Sequence, residues 1–456
     1  MKQGAVFIQE RPLVGEEFDL EIERLGVYGE GVGKHHGYTI FVQGALPKER
    51  VRVRLQERRK NFGRAEVLQY HTSSPHRVDP ICPLFGKCGG CQLMHLSYEE
   101  QLNIKRDKVV DALKRIGHCI DPSVSHCVPS DLPLAYRNKI QMPVGSKEGS
   151  TYLGLYAQAS HDLIEVPRCY IHTDLGEHVM RTIQMKCREY KGGDSLRAVL
   201  IKTAVEKGEV LVSFITKVRQ KEYIERLGKE IMDLHPEVKG IVENVNPSSS
   251  NTILGPTYYP ILGTPFIEET LCGLTFKISA ASFFQVNRGQ AEKLYQIALH
   301  FLALSATETV LDAYCGVGTF SLILAQYAKR VIGIEVVPEA IADAKENKER
   351  NRIDKVDFLC GRAEVLIEKL QGIDSALLNP PRGGCERIFL EALLTLKPAK
   401  IVYISCDPAT LARDVAILTA GGYTLNVVTP LDMFPQTAHV ESIACLSSFS
   451  FKSIHK

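Results

Sequence analysis

The sequence lacks the features that would place it in a membrane or in a secretory pathway. None of its apolar runs reaches the roughly 18 residues that a membrane span needs. Charge at Lys2 and Glu10 interrupts its start too early for a secretory signal peptide, so we expect a cytoplasmic protein. Its 55 basic and 53 acidic residues nearly cancel, so the overall charge does not indicate a polyanionic partner. Function must therefore be inferred from local patterns.

Length and cysteine content limit the number of domains and the roles that the cysteines can have. A chain of 456 residues exceeds one ordinary domain, and we expect about two to four. Thirteen cysteines are an odd number, and the chain shows no signal peptide. They therefore indicate intracellular thiols, metal ligands or catalysts and not a disulfide framework.

Residues 1–72 have the pattern of a small β-barrel. Short alternating or apolar runs are separated by glycine-rich turns, which is typical of an oligonucleotide-binding (OB) barrel. Eight basic residues stand against three acidic ones between Lys48 and Glu66, with Phe62 among them. This composition indicates a strip that binds nucleic acid, although a solvated strand face would have the same pattern. The basic residues are Lys48, Arg50, Arg52, Arg54, Arg58, Arg59, Lys60 and Arg64.

Residues 73–275 form a predicted α+β region that begins with a cysteine-rich loop. Three cysteines follow the spacing Cys-x5-Cys-x2-Cys, which indicates a metal site. Such sites usually have four ligands, and the spacing alone does not separate zinc from an iron–sulfur cluster. The candidate ligands are Cys82, Cys88, Cys91 and, as the best fourth, Cys169, although Cys119 and Cys127 are nearer in sequence.

Residues 276–456 form a predicted Rossmann-like domain. From residue 308 onward, strands and helices alternate regularly, which is typical of a doubly wound sheet. A further helix, predicted over residues 96–117, is expected to pack on this domain. The predicted strands are 310–313, 331–335, 356–360, 375–378, 401–405, 423–429 and 442–449, and the predicted helices are 320–328, 338–351, 363–370, 386–396 and 409–418.

A glycine loop at the end of the first of these strands indicates a ligand site. Gly316 and Gly318 let the backbone turn sharply and approach a ligand closely. Glu335 closes the next strand, where a carboxylate can accept both hydrogen bonds of a ribose diol. The third glycine of the dinucleotide fingerprint is missing, so the loop fits S-adenosylmethionine better than NAD. The alternative is a tight turn without a ligand.

Three more polar residues lie near strand ends of this domain. Cys406 follows the strand 401–405, where a thiol is either a nucleophile or buried filler. Asn379 begins the Asn-Pro-Pro-Arg motif after the fourth strand and can donate or accept a hydrogen bond. Glu441 precedes an apolar run, and burial would raise its pKa and make it a proton acceptor near neutral pH. For His439, two residues before Glu441, a packing role fits as well as a chemical one.

In their order along the chain, these motifs resemble the RNA uracil-C5 methyltransferases that use S-adenosylmethionine, over nearly the whole length. The resemblance implies an N-terminal TRAM domain, a central region with a cysteine cluster and a C-terminal methyltransferase domain, making a multidomain α/β protein. The motifs that carry it are Cys82-x5-Cys88-x2-Cys91 with Cys169, Ser282-Phe283-Phe284-Gln285-Val286-Asn287, Asp312-Ala313-Tyr314-Cys315-Gly316-Val317-Gly318, Asn379-Pro380-Pro381-Arg382, Ser405-Cys406-Asp407-Pro408 and His439-Val440-Glu441.

The resemblance also implies roles for particular residues. Cys406 matches the nucleophile and Glu441 the base. The four cysteines match the ligands of a [4Fe–4S] cluster, which favours iron–sulfur over zinc. The residues implied for the cofactor site are Gln285, Tyr314, Gly316, Gly318, Thr319, Glu335 and Asn379. The family usually has Asp where this chain has Asn379, a nearly isosteric but neutral replacement.

The expected substrate is 23S ribosomal RNA, because a TRAM domain together with a cysteine cluster favours the ribosomal enzymes over the shorter transfer-RNA enzymes. The alternatives are a transfer-RNA uracil-C5 methyltransferase and a non-catalytic RNA-binding homologue. We expect a monomer with no membrane or DNA partner.

Overall fold

The computed structural model describes residues 11–147, 150–189, 195–248 and 252–448. The chain divides into two units, of which the first runs to Ile104 and also includes Tyr156–Asp162 and Gln436–Ala438. The second unit contains the other described residues, so it includes the predicted C-terminal domain and most of the predicted central one, whereas residues 73–104 belong to the first unit. The two boundaries between the three predicted domains therefore stay a prediction. Within the described ranges, no helix is both long and apolar enough to cross a membrane.

The first unit contains a six-stranded sheet with the predicted alternation of buried and exposed side chains. Its strands are β1 (Glu17–Glu21), β2 (Arg24–Leu25), β3 (Gly31–His35), β4 (Tyr38–Val42), β5 (Arg50–Arg58) and β6 (Phe62–Thr72). Their order is β1-β5-β6-β4-β3-β2, with β4 and β6 parallel. Alternate residues of β1 and β5 point into one core around Ile40. β1 and β2 follow each other in the chain but lie at opposite ends of the strand order, as expected for the predicted small barrel.

The second unit begins with a seven-stranded sheet and two covering helices. These elements are β7 (Lys139–Lys147), β8 (Ser150–Tyr156), β9 (Leu163–Glu165), α2 (Asp174–Glu189), β10 (Leu196–Ala204), β11 (Glu209–Thr216), α3 (Lys221–Leu234), β12 (Val238–Val245) and β13 (Thr257–Gly263). The strand order is β13-β12-β11-β10-β7-β8-β9. Helix α2 packs on β10 and α3 packs on β12, so β10 and β11 are almost entirely buried.

A hairpin and a helix connect this sheet to the last one. The hairpin pairs β14 (Phe266–Leu271) with β15 (Leu274–Ser279), and α4 (Arg288–Leu302) follows. Asn287 caps α4, because its Oδ1 accepts a hydrogen bond from the N–H of Gln290 at 3.3 Å. Helix α4 packs on the last sheet.

The last sheet has seven strands in the order β18-β17-β16-β19-β20-β22-β21. Five neighbouring strands are parallel, and the sixth strand in this order is antiparallel to its neighbours on both sides. The elements are β16 (Thr309–Ala313), α5 (Thr319–Leu324), β17 (Arg330–Glu335), α6 (Pro338–Arg350), β18 (Val356–Cys360), α7 (Ala363–Leu366), β19 (Ser375–Leu378), α8 (Arg387–Leu396), β20 (Lys400–Ser405), α9 (Pro408–Ala420), β21 (Tyr423–Leu431) and β22 (Glu441–Ser448). The strand order reverses at β16, which is where such sheets bind ligands at the carboxyl edge.

The predicted alternation of strands and helices in this region is confirmed, with two helices shorter than predicted. Helix α5 ends at Leu324 because the N–H groups of Gln326 and Tyr327 bond to carbonyls three residues back, which tightens the turn. Helix α7 continues as a 3₁₀ turn, Ile367–Lys369. Phe449, the last residue of the final predicted strand, lies outside the described residues.

Helix α1 (Tyr98–Arg115) carries apolar residues into the core on one face of this sheet. Val109 and Leu113 are fully buried there and share that core with Leu411 and Ala412 of α9. Their spacing of four places both side chains on one face of the helix. Helix α9 follows Cys406, so α1 supports the segment that carries this thiol.

Candidate active site

Four neighbouring parallel strands bring the candidate residues to one edge of the last sheet. Gly316 follows β16, Glu335 ends β17, Asn379 follows β19 and Cys406 follows β20. The carboxyl ends of parallel strands meet at a single edge. The structure therefore gathers at one edge residues that are up to about ninety positions apart in the sequence.

The glycine loop is shaped by positive φ angles and by one close approach. Gly316 and Gly318 have φ values of 56° and 75°, which glycine adopts without strain. A Cβ at Gly318 would stand 2.6 Å from Cζ of Phe358, so a side chain there would clash. A Cβ at Gly316 would meet no atom within 4 Å, so this glycine borders open space. Gly318 is therefore needed for packing against Phe358, and Gly316 lies beside space that a ligand can occupy.

Glu335 is fixed by the backbone around it. Its Oε2 accepts from the N–H of Gly316 at 3.1 Å, and its Oε1 accepts from Val336 and Val337 at 2.8 and 3.0 Å. A carboxylate has about four acceptor sites, so three N–H donors leave room for a hydroxyl group. The arrangement orients the carboxylate at the rim of the glycine loop and leaves about one acceptor site, fewer than the two hydrogen bonds of a ribose diol expected from the sequence.

Asp312 orders this loop from inside the protein. Its side chain is almost fully buried, and its Oδ2 accepts from Ser321 Oγ of α5 at 2.5 Å. Burial raises the pKa of Asp312 to about 7; the bond from Ser321 opposes the rise and the charge of Glu335 adds to it. Asp312 begins the motif Asp312–Gly318 that carries the family resemblance, and the structure gives its side chain an anchoring role.

Three other predicted cofactor residues lie in different settings. The Tyr314 ring packs on Phe389 with centroids 5.5 Å apart, and its hydroxyl is buried, so only the ring and the backbone can line a site. Thr319 is buried at the start of α5. Gln285 is half-buried, and its carbonyl accepts from Asn138 Nδ2 at 3.0 Å.

Asn379 lies directly beside the end of β16. Its N–H donates to the carbonyl of Ala313 at 3.3 Å, and the residue is half-buried. Among the described residues, its side chain makes no hydrogen bond. The amide is therefore available to a bound molecule.

Cys406 stands in a turn that its two neighbours hold in place. The N–H of Asp407 donates to Ser405 Oγ at 3.1 Å, and Ser405 Oγ donates to the Asp407 carbonyl at 3.0 Å. Asp407 also caps α9. The pKa of Cys406 is raised, first because the thiol is half-buried and second by the charge of Glu441, while the charge of Arg382 opposes the rise.

Glu441 is a buried carboxyl group at the start of β22. It is 6% exposed, and burial raises its pKa to about 8. The antiparallel register pairs Ser442 with Ser405. Glu441 directly precedes Ser442 and Cys406 directly follows Ser405, so the two residues lie on the same side of that pair. Burial of Glu441 was expected from the apolar run that follows it, and the structure confirms it.

Arg382 is a residue of the site whose position the sequence did not indicate. Its charge lowers the pKa of Cys406 and also that of His439, after the larger effect of burial on His439. The His439 ring lies 6.0 Å from that of Phe434 in a T-shaped contact, which agrees with a packing role. The cation was visible in the Asn-Pro-Pro-Arg motif, which follows β19, and β19 is the neighbour of the strand that Cys406 follows.

The predicted metal ligands fall into both units. Cys82, Cys88 and Cys91 belong to the first, where Cys88 Sγ accepts from the N–H of Gly90 at 3.4 Å. Cys169 belongs to the second. Within the described ranges, no three His, Cys, Asp or Glu side chains are arranged to hold a metal ion. The iron–sulfur site therefore stays a prediction.

The basic strip of the first unit is largely neutralised by carboxylates. Arg50 and Arg52 form ion pairs with Asp19, and Arg54 pairs with Glu17, both from β1. The sequence count of acidic residues missed these partners because they lie outside residues 48–66. Further pairs join Arg59 and Arg64 to Glu57. The Arg64 guanidinium also lies over the Phe62 ring, 5.6 Å from its centroid.

Comparison with known proteins identifies the family of this chain. The family model described as tRNA (uracil-5-)-methyltransferase matches residues 97–448, and the TRAM domain model matches residues 11–68. An uncharacterized RNA methyltransferase of Bacillus cereus is 40% identical over 96% of this chain and 98% of its own length. Another, of Halalkalibacterium halodurans, is 42% identical over 94% of this chain and 96% of its own.

One solved structure is similar over almost the whole chain. It is that of the Pyrococcus abyssi tRNA (uracil-54, C5)-methyltransferase in complex with S-adenosyl-L-homocysteine, 28% identical with a TM-score of 0.72. The match covers 94% of this chain and 100% of that one. The chain therefore belongs to the tRNA (uracil-5-)-methyltransferase family and carries an N-terminal TRAM domain.

Proposed function

We propose that this protein transfers the methyl group of S-adenosylmethionine to C5 of specific uridines in 23S ribosomal RNA, in the cytoplasm. The observation that carries the chemistry is the adjacency of Cys406 and Glu441 beside the Ser405–Ser442 pair. A nucleophile and a proton acceptor at neighbouring positions suit a reaction in which the nucleophile adds to C6 of uracil and the acceptor takes the proton from the adjacent C5.

The Cys406 thiolate overcomes the low nucleophilicity of uracil C5. C5 of uracil is a poor nucleophile, but addition of the Cys406 thiolate at C6 makes the ring an enolate whose C5 is electron-rich. C5 then takes the methyl group, Glu441 removes the C5 proton, and elimination releases Cys406. The base must be unpaired to enter the site, so the uridine lies in a loop or is flipped out of a helix.

The residues around the glycine loop suit S-adenosylmethionine, which supplies an electrophilic methyl group when bound. The open space next to Gly316 gives room for a ligand, and Glu335 has an acceptor site for a ribose hydroxyl. Asn379 offers an amide that is not engaged by the described residues. We assign Gln285, Tyr314, Gly318 and Thr319 to the same site as lining or shaping residues.

The choice of RNA is tested by a direct comparison of substrates. The TRAM domain together with the cysteine loop supports ribosomal RNA, whereas the similar Pyrococcus abyssi enzyme acts on transfer RNA. Purified protein is incubated with methyl-labelled S-adenosylmethionine and either 23S ribosomal RNA or transfer RNA, each lacking the modification, and the methylated uridine is mapped. Label in 23S RNA alone supports the proposal. Label in transfer RNA alone supports the transfer-RNA enzyme, and label in neither supports a non-catalytic RNA-binding protein.

We further propose a [4Fe–4S] cluster with Cys82, Cys88, Cys91 and Cys169 as ligands. Support comes from the cysteine spacing and from the N–H of Gly90 aimed at Cys88 Sγ, since backbone donors to sulfur are common around such clusters. No catalytic step depends on it. Anaerobic purification is expected to give a brown protein with about four irons per chain, lost in Cys88→Ala. A colourless protein containing zinc contradicts the assignment.

A further inference from the structure

Four consecutive backbone carbonyls directly after β21 each accept a hydrogen bond from a buried side chain. The segment that carries them, residues 432–435, is neither strand nor helix. Gln290 Nε2 donates to Asp432 at 3.0 Å, Asn287 Nδ2 to Met433 at 3.3 Å, Lys105 Nζ to Phe434 at 3.1 Å and the Tyr136 hydroxyl to Pro435 at 3.0 Å. All four donor residues are buried. The backbone of this segment is therefore fixed from outside, although it has no regular structure.

Lys105 of α1 holds this segment at two points. Besides its bond to the Phe434 carbonyl, its Nζ forms an ion pair with Asp432 Oδ1 at 2.5 Å. The two side chains are 1% and 0% exposed. Well-packed apolar residues often replace a buried ion pair without loss of stability, so stability alone is a weak reason for this pair. What the pair does is to tie the first and the third residue of the segment to one ammonium group.

The segment begins next to the candidate base. In the register of β21 and β22, Leu431 is the partner of Glu441, and Asp432 is the residue after Leu431. The N–H of Asp432 donates to the Val128 carbonyl at 3.0 Å. Backbone and side chain of Asp432 are thus both fixed, one residue from the strand pair that contains Glu441. The end of β21 cannot shift without breaking these bonds.

We propose that Lys105 is a positioning residue for the base. By holding Asp432 and Phe434, it keeps the end of β21, and with it Glu441, in the place from which Glu441 takes the C5 proton. The inference rests on the proposed function. The Lys105 side chain is almost fully buried, so it acts through β21 and not on the RNA. A displaced base slows the step that follows methyl transfer and leaves the addition of Cys406 to the ring unaffected.

The test uses Lys105→Met in the full-length protein, because methionine keeps the length of the side chain and removes the ammonium group. The variant is incubated with methyl-labelled S-adenosylmethionine and the RNA that the parent methylates. Release of methylated RNA gives kcat, and separation under denaturing conditions gives the fraction of protein joined to RNA. We expect kcat to fall about tenfold to hundredfold, the scale of a misplaced catalytic group, with KM for RNA near the parent value. The joined fraction should rise, whereas a general loss of folded protein would lower it together with kcat.

Lys277→Met is the matched control. It breaks an ion pair of 2.7 Å between Lys277 Nζ and Glu346 Oε2, which joins β15 to α6 away from the segment. It is expected to keep the parent kcat and the parent fraction of joined protein.

A double variant separates positioning from stability. Lys105→Met with Asp432→Leu replaces the ion pair by two apolar side chains and is expected to melt near the parent temperature. Its release of RNA should stay slow, because the Phe434 carbonyl still lacks its donor. If neither Lys105 variant folds, Tyr136→Phe decides. It removes only the bond to Pro435 and should change kcat and the joined fraction less, in the same direction.

Two results overturn the proposal. One is a parent kcat and a parent joined fraction in the folded variants, and the other is full recovery of release in the double variant together with the melting temperature. A parent protein that methylates no RNA contradicts the proposed function instead. Hydrogen exchange of the peptide that contains Glu441 needs no substrate and then tests Lys105 alone. Faster exchange in Lys105→Met than in Lys277→Met supports the positioning role, and equal exchange contradicts it.

Discussion

Cys406 directly follows Ser405 and Glu441 directly precedes Ser442, so both residues lie on the same side of the Ser405–Ser442 pair that joins β20 to β22. Burial raises the pKa of the Cys406 thiol, and the ionised form of Glu441 adds to the rise. The proposed chemistry requires this closeness, since the thiolate adds at C6 and the base takes a proton from the neighbouring C5. The register of β20 and β22 thus sets the distance between nucleophile and base.

The first prediction concerns the nucleophile. Cys406→Ala is expected to abolish methyl transfer while RNA binding stays close to that of the parent, because the variant loses only the covalent bond to C6. The measurements are methyl incorporation and a binding assay on the same RNA. Cys272→Ala, in the turn between β14 and β15, is the control and should keep the parent rate. Appreciable transfer by Cys406→Ala argues against the covalent route.

The second prediction separates the two glycines of the cofactor loop. Gly318→Ala is expected to destabilise the fold and to abolish cofactor binding, since its Cβ would clash with Phe358. Gly316→Ala meets no protein atom and should cost only about 1 kcal/mol of backbone strain, yet it should still weaken binding of S-adenosylhomocysteine. Thermal melting measures the loss of fold stability, and calorimetric titration measures the binding of S-adenosylhomocysteine. Unchanged binding by Gly316→Ala would mean that the ligand does not use this space.

The third prediction concerns Asn379. If its amide oxygen accepts a hydrogen bond from the cofactor, Asn379→Ala should raise the Kd for S-adenosylhomocysteine about fivefold, the value of one bond near 1 kcal/mol. Asn379→Asp keeps the acceptor oxygen and is expected to bind at least as tightly as the parent. Calorimetric titration of the three proteins decides. Tight binding by the alanine variant would remove Asn379 from the cofactor site.

The fourth prediction follows from the raised pKa of Glu441. The folded protein holds this carboxyl protonated up to about pH 8, whereas the unfolded chain ionises it near its ordinary value of 4.5. Its contribution to stability is therefore complete below about pH 4.5 and is lost as the pH rises to about 8. Glu441→Gln stays neutral, so its free energy of unfolding relative to the parent should increase from pH 5 to about pH 9 by a few kcal/mol. Denaturant titrations at both pH values measure this difference. A difference that does not change with pH would mean that Glu441 is not neutral in the folded state.

Much of the fold could be predicted from the sequence because the signals are local. The strand–helix alternation after residue 308 and the glycine loop follow from hydrophobic pattern and backbone chemistry alone. The arrangement of the site was harder to predict from the sequence. The adjacency of Cys406 and Glu441 depends on an antiparallel register between strands that are far apart in sequence, which a local pattern does not encode.

Side-chain partners were the hardest to predict. The charge count between Lys48 and Glu66 overstated the basic strip, since Glu17 and Asp19 reach its arginines from another strand. Such contacts arise only when the chain is folded.

The most direct test of the central claim is to capture the covalent intermediate. Glu441→Gln is incubated with S-adenosylmethionine and the RNA that the parent methylates, and the products are separated under denaturing conditions and digested for mass spectrometry. Because the variant lacks the base that removes the C5 proton, we expect a stable protein–RNA adduct joined through Cys406 to a methylated uracil. Release of methylated RNA at the parent rate, with no adduct on Cys406, would contradict the account.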